Sequence, residues 1–139
     1  FLLFCIVVAG KNAQQQSKKL KEFLELDSSE DSPFQKIRNM MGKGNLLSNL
    51  MLVKLGQYNR ISKCFKQLVC AKYDLTKCTV EDLESIAGIG LKTSRFFVLH
   101  SRENQRVAVL DTWILSYLRK KRWSIGQAVH SGYLLALFC

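Results

Sequence analysis

One proline and eight glycines in 139 residues leave few places where the backbone must break. Disordered and low-complexity chains are rich in exactly those breakers, so that class is excluded, and the 47% hydrophobic content is enough to build a core. Acidic residues are also scarce. Eleven Asp and Glu stand against twenty-one Lys and Arg, a formal net charge of +10, which favours a polyanionic partner because each neutralised phosphate releases counterions. No C-x-x-C pair occurs. The five cysteines, Cys5, Cys64, Cys70, Cys78 and Cys139, are odd in number and spaced for neither a zinc knuckle nor a disulfide framework. Cys5, Cys64 and Cys70 sit among apolar neighbours and read as small buried hydrophobes, which places the chain in a reducing, intracellular compartment, either cytoplasm and nucleoid or nucleus. No long apolar run is present: Phe1 to Ala9 falls well short of the roughly 20 residues that span a bilayer, and no basic residue precedes it as in a signal peptide. No membrane partner is expected.

What is there is helical periodicity almost throughout, with no repeat and no convincing strand pair. Phe1 to Ala9 reads as a buried helix. Ala13 to Leu26 reads as an amphipathic one, with Leu20, Phe23 and Leu24 inward and Lys18, Lys19 and Lys21 outward. Ser32-Pro33 supplies a cap and a first-turn proline for a helix presenting Phe34, Ile37 and Met41, which stops near Gly42 and Gly44. A short apolar helix is expected over Asn45 to Leu55, closed by Gly56. Another starts at Asn59, with Ile61, Cys64, Phe65, Leu68 and Val69 on one face. The reading is a single all-α, compact multi-helix domain over residues 1–139. It starts without Met and in mid-pattern, as an N-terminally truncated chain would, and residues 124–139 form an atypical tail.

Two stretches carry chemistry. In the first, Thr79 and Asp82 make a capping box before Leu83 and Ile86. The turn Gly88-Ile89-Gly90 follows, then a helix from about Lys92 to Ser101. Glycines there permit positive φ and close backbone approach, and the amides of Gly90 and Leu91 at a helix start suit an anion such as a DNA phosphate. The blander role for these glycines is packing at an ordinary helical corner. In the second stretch, an extended segment Arg106 to Leu110 leads to Asp111, which opens a helix through Trp113, Ile114, Tyr117 and Leu118. The ordinary job of such an Asp is to cap the helix. Its apolar neighbours also set it at a partly buried rim, where a Lys and an Asp across one cleft pair a nucleophile with a charge stabiliser. The basic run Arg119-Lys-Lys-Arg122 is either a phosphate contact or a solvated helix end.

Residues 79–118 resemble the helix-hairpin-helix DNA glycosylase superfamily, in particular endonuclease III and its 8-oxoguanine-removing relatives. The family pattern Leu-Pro-Gly-Val-Gly-x-Lys-Thr-Ala is matched by Ile86-Ala-Gly-Ile-Gly-Leu-Lys-Thr-Ser94, and Val-Asp-Thr-His by Leu110-Asp-Thr-Trp113, at the family's separation. The resemblance implies a base excision repair glycosylase with associated lyase activity, acting as a monomer on double-stranded DNA that contains a damaged base. Lys92 would be the nucleophile and Asp111 the charge stabiliser. Gly88, Gly90, Leu91 and Thr93 would bind DNA, and Asn12 would fill the gap left by the extruded base. A neutral amine is needed at Lys92, and burial among positive charge is expected to favour it. No resident metal is expected, since the family's four-cysteine iron–sulfur loop has no counterpart. A monovalent cation on the carbonyls of Glu84, Ile86 and Ile89 is compatible with the resemblance. Gly56-Gln-Tyr-Asn59 is a weaker match. Ala87 in place of Pro and Trp113 in place of His are departures. The alternatives are a non-catalytic helix-hairpin-helix DNA-binding module and a degenerate relative without activity.

Overall fold

Helices and the turns between them account for the described part of the chain, with no strand among those residues. The computed structural model describes residues 1–71, 73–103, 105, 107–109 and 112–120, without the side chains of 112, 113 and 118. In order these are α1 (Leu2–Val8), α2 (Ala13–Glu25), α3 (Pro33–Gly42), α4 (Leu46–Leu52), α5 (Tyr58–Cys70), α6 (Val80–Glu84), α7 (Leu91–Ser101) and α8 (Thr112–Lys120).

Three helix starts, those of α2, α3 and α6, follow from capping chemistry. Asn12 accepts the Gln15 amide at 3.0 Å, and Ser32 accepts that of Gln35 at 3.3 Å ahead of Pro33. Thr79 and Asp82 exchange reciprocal bonds of 3.1 and 2.8 Å, a complete capping box. Helices α1 to α7 then bury apolar side chains. Phe23 of α2 meets Phe65 of α5 with ring centroids 6.1 Å apart, among Ile6, Ile37, Met40, Leu50 and Leu83, all essentially inaccessible to water. Burial of each such side chain contributes about 1.5–3 kcal/mol relative to exposure. Helix α5 packs on α3 and α4, while α1 packs on both α2 and α7. The first helix therefore ties the α6–α7 corner to the rest of the core.

Several expectations need correction. Cys70 is exposed rather than buried, because it lies one and two turns beyond Lys66 and Lys63 on the outer face of α5. Cys5 and Cys64 are buried. Phe34, Ile37 and Met41 of α3 do face the core, and Met40 joins them as its fully buried methionine. Helix α4 ends at Leu52, short of Leu55, because Lys54 (φ +53°), Gly56 (φ +71°) and Gln57 (φ +49°) turn the chain through left-handed conformations. Residues 107–109 lie in neither helix nor strand, with Val109 buried. Among the described residues no helix is long and apolar enough to cross a membrane.

Candidate functional site

The α6–α7 corner is built on one face of α5. Its four-residue turn, Ile86 to Ile89, closes with the Ile89 amide donating to the Ile86 carbonyl at 3.0 Å. Ile86 and Ile89 are buried and anchor the turn from below. Gly88, third in the turn, has φ +97°, the conformation that a type II turn demands at that place and that L side chains rarely adopt. A Cβ there would lie 3.2 Å from Cys64 Cβ and 3.3 Å from the Arg60 carbonyl oxygen. Arg60 donates to the Gly88 carbonyl at 2.7 Å, and the Ala87 amide donates to Gln67 Oε1 at 2.6 Å. Positions 60, 64 and 67 share one helical face, so α5 holds the turn through a cation, a tight contact and an amide. A proline at position 87 would have no N–H for Gln67; the alanine makes that bond possible.

Gly90 differs from Gly88. Its φ is −101°, it is exposed, and a Cβ on it would meet nothing within 4 Å among the described residues. Among those residues no contact requires glycine at this position. It is the N-cap of α7 and makes no side-chain capping bond, and the first turn carries no acidic residue. The leading amides of a helix have no acceptor within the helix, and the helix dipole adds positive potential there. Leu91 and Lys92 are exposed and Thr93 is half-buried beside that end. A lysine in the first turn is unfavourable by about 0.3–1 kcal/mol unless an anion joins it. The burial expected around Lys92 is not supplied by the described residues, because α7 presents its second position to solvent.

Below this end, Ser94 is fully buried and donates to Glu84 Oε1 at 2.9 Å, and Arg95 forms an ion pair with the same carboxylate. These contacts lock α7 to α6. Phe97 and Val98 seat α7 in the core against α1, and the Phe97 ring stacks 5.9 Å from that of Phe1.

A second cationic group adjoins the corner. Arg60 also donates to the Ile6 carbonyl at 2.8 Å, so one guanidinium joins α5, the turn and α1. Lys11, just beyond α1, donates to the Leu55 carbonyl. Burial, and after it the charges of Arg60 and Lys19, lower the pKa of Lys11 from its ordinary value. Asn12 is exposed and spends its side chain capping α2, a structural job the sequence reading did not assign. Asp111, the partner expected for Lys92, lies outside the described residues, as do Lys121, Arg122 and residues 124–139. Arg119 and Lys120 are exposed in the last turn of α8.

Among the described residues no group of His, Cys, Asp and Glu side chains could hold a metal ion. Of the three carbonyls considered for a monovalent cation, that of Ile86 already accepts the turn's own hydrogen bond. A cavity of about 130 Å³ lies elsewhere, between Phe34 and Arg38 of α3, Leu68 and Val69 of α5, and Tyr73 and Leu75. Sequence reading missed Arg60 and Gln67. Their signal was available: both fall on the face of α5 marked by Cys64, at the border of its apolar stripe. No family model, no curated protein and no solved structure matches the chain.

Proposed function

We propose that the protein is a helix-hairpin-helix DNA glycosylase with lyase activity. On this reading the turn before α7 takes a DNA phosphate, and Lys92, the second residue of α7, attacks the sugar of an extruded damaged nucleotide. The observation that carries the proposal is the contrast between the two glycines. Gly88 is required by its own positive φ and by contact with α5, whereas Gly90 has open space, an uncapped helix end and a lysine beside it. An external anion offsets both the leading amides, which have no acceptor within the helix, and the misplaced cation. Phosphate contact there fixes register, and the lesion is read by extruding the base.

In the proposed reaction the neutral Lys92 amine forms a bond to C1′ as the glycosidic bond breaks. The base departs with the bonding electrons and takes up a proton. Opening of the sugar ring leaves an imine between Lys92 and C1′. Loss of a proton from C2′ then expels the 3′ phosphate by β-elimination and cuts the strand. Asp111 would stabilise positive charge developing on the sugar. The exposure of Lys92 favours a second reading, a non-catalytic DNA-binding module in which this lysine contacts only phosphate.

A panel of duplexes, each bearing one oxidised pyrimidine, 8-oxoguanine or an abasic site, separates the two. Incubation with borohydride is expected to fix the protein covalently to at least one duplex, and incubation without it to cut that strand. Duplex binding with neither outcome would establish the module instead. The phosphate contact has its own test. Gly90→Val is expected to weaken duplex binding at least about tenfold while changing stability by less than about 1 kcal/mol, a cap-sized effect. Gly88→Ala is expected to cost roughly 2–4 kcal/mol of stability through backbone strain and crowding against α5. Denaturant unfolding beside a binding titration reads both. Equal effects of the two substitutions on stability would return both glycines to a packing role.

A further inference from the structure

The turn between α4 and α5 gathers positive charge that the proposed chemistry does not use. Lys11 Nζ sits on the Leu55 carbonyl, and Lys19 Nζ on the Lys54 carbonyl at 2.7 Å. These carbonyls are presented by the segment that runs through left-handed backbone at Lys54, Gly56 and Gln57. A Cβ on Gly56 would come within 3.3 Å of the Lys11 amine, so the glycine makes room for it. Arg60 stands two residues past the first turn-opening position of α5 and reaches the Gly88 carbonyl. The group is therefore continuous with the corner that precedes α7. Among the described residues, no carboxylate pairs with Lys11, Lys19, Lys54 or Arg60. Acids are sparse in the surrounding sequence: the first is Glu22, one helical turn past Lys19 and not paired with it, and none stands between Asp31 and Asp74, where eight lysines and arginines do. Burial, and after it the neighbouring charges of Arg60 and Lys19, lower the pKa of Lys11 from its ordinary value, as like charges gathered in one place repel one another. Helix α5 also begins here, with Gln57 as an N-cap that makes no side-chain capping bond.

We propose that Lys11 and Lys19, on the α4–α5 turn, form a second phosphate-binding contact to the backbone of the same DNA duplex, separate from the contact at the start of α7. The inference rests on the DNA reading above. Two contacts on either side of Arg60 set the direction of the duplex across the protein, which a single phosphate site cannot do. The lysines hold their amines in place through backbone carbonyls, so phosphate meets them without further ordering of either side chain.

Salt dependence tests this directly, with an undamaged duplex oligonucleotide as the probe. Each phosphate contact contributes about 0.9 to the slope of log K against log salt, equivalent to roughly eightfold in affinity at 0.1 M. The double variant Lys11→Gln/Lys19→Gln is expected to flatten the slope by about 1 to 2, and Lys11→Arg/Lys19→Arg to retain it. An unchanged slope in the Gln variant, or equal flattening in both variants, overturns the proposal and leaves the lysines as clamps on the turn. If the double Gln variant does not fold, Lys19→Gln alone decides: a slope shallower by about 0.9 supports the contact, and an unchanged slope removes it. Gly90→Val distinguishes the levels. Weakened binding in that variant, beside unchanged slopes in the lysine variants, removes the second contact and keeps the first. A flat slope for the wild-type protein removes both.

Discussion

Lys92→Gln is expected to abolish both borohydride trapping and strand cleavage while leaving duplex affinity within a few-fold of wild type. The substitution removes the only atom proposed to bond to C1′ and leaves an uncharged polar side chain one atom shorter. Because Lys92 is exposed on the second position of α7, its loss leaves no cavity and, among the described residues, no buried partner unsatisfied. Removing a cation from a helix N-terminus is neutral to slightly stabilising. Folding loss therefore cannot imitate the effect, and a thermal unfolding curve run beside the trapping assay shows this. A trapped complex that survives in Lys92→Gln would assign the nucleophile to another amine. Lys11, half-buried with a lowered pKa, would be the next to replace.

The second large effect belongs to Asp111→Asn. Loss of one electrostatic contact in a preorganised site slows the reaction by about 10²–10³-fold, and base release is the step expected to slow by that factor. Asp111 immediately precedes, in sequence, the helix that begins at Thr112. Asn caps a helix about as well as Asp, so stability is expected to change by less than about 1 kcal/mol. The swap tests the charge and keeps the cap. Single-turnover release of the damaged base, measured beside the unfolding midpoint, separates the two roles. Unimpaired release would leave Asp111 as a cap and nothing more.

The two glycines show how differently a motif can be grounded. From sequence, Gly88 and Gly90 are equivalent members of one Gly-x-Gly turn. In the folded protein the positive φ and the crowding belong to Gly88 alone, and the open space belongs to Gly90. Ala87 makes the same point. The motif that the sequence resembles has proline at this place, whereas here the alanine amide donates to Gln67 Oε1. That bond links residues twenty positions apart, and no local rule reveals it.

By itself the sequence determined the helical class, the positions of most helices and their inward faces. Apolar side chains at three- and four-residue spacing demand burial, and capping groups act on amides two or three residues away. Both are local physics, so Ser32-Pro33, the Thr79–Asp82 box and the stripe of α5 were legible in one dimension. The binding of the 86–89 turn by Arg60, Cys64 and Gln67 was decided only when α5 and the α6–α7 corner packed together. That outcome depends on which neighbour occupies a given few ångströms, through a carbonyl offered to a guanidinium or a Cβ excluded by a helix. The gathering of Lys11 and Lys19 on the Lys54 and Leu55 carbonyls is of the same kind. Charge composition foretold a basic protein, but the place where the charge collects was settled by the left-handed turn that presents those two oxygens.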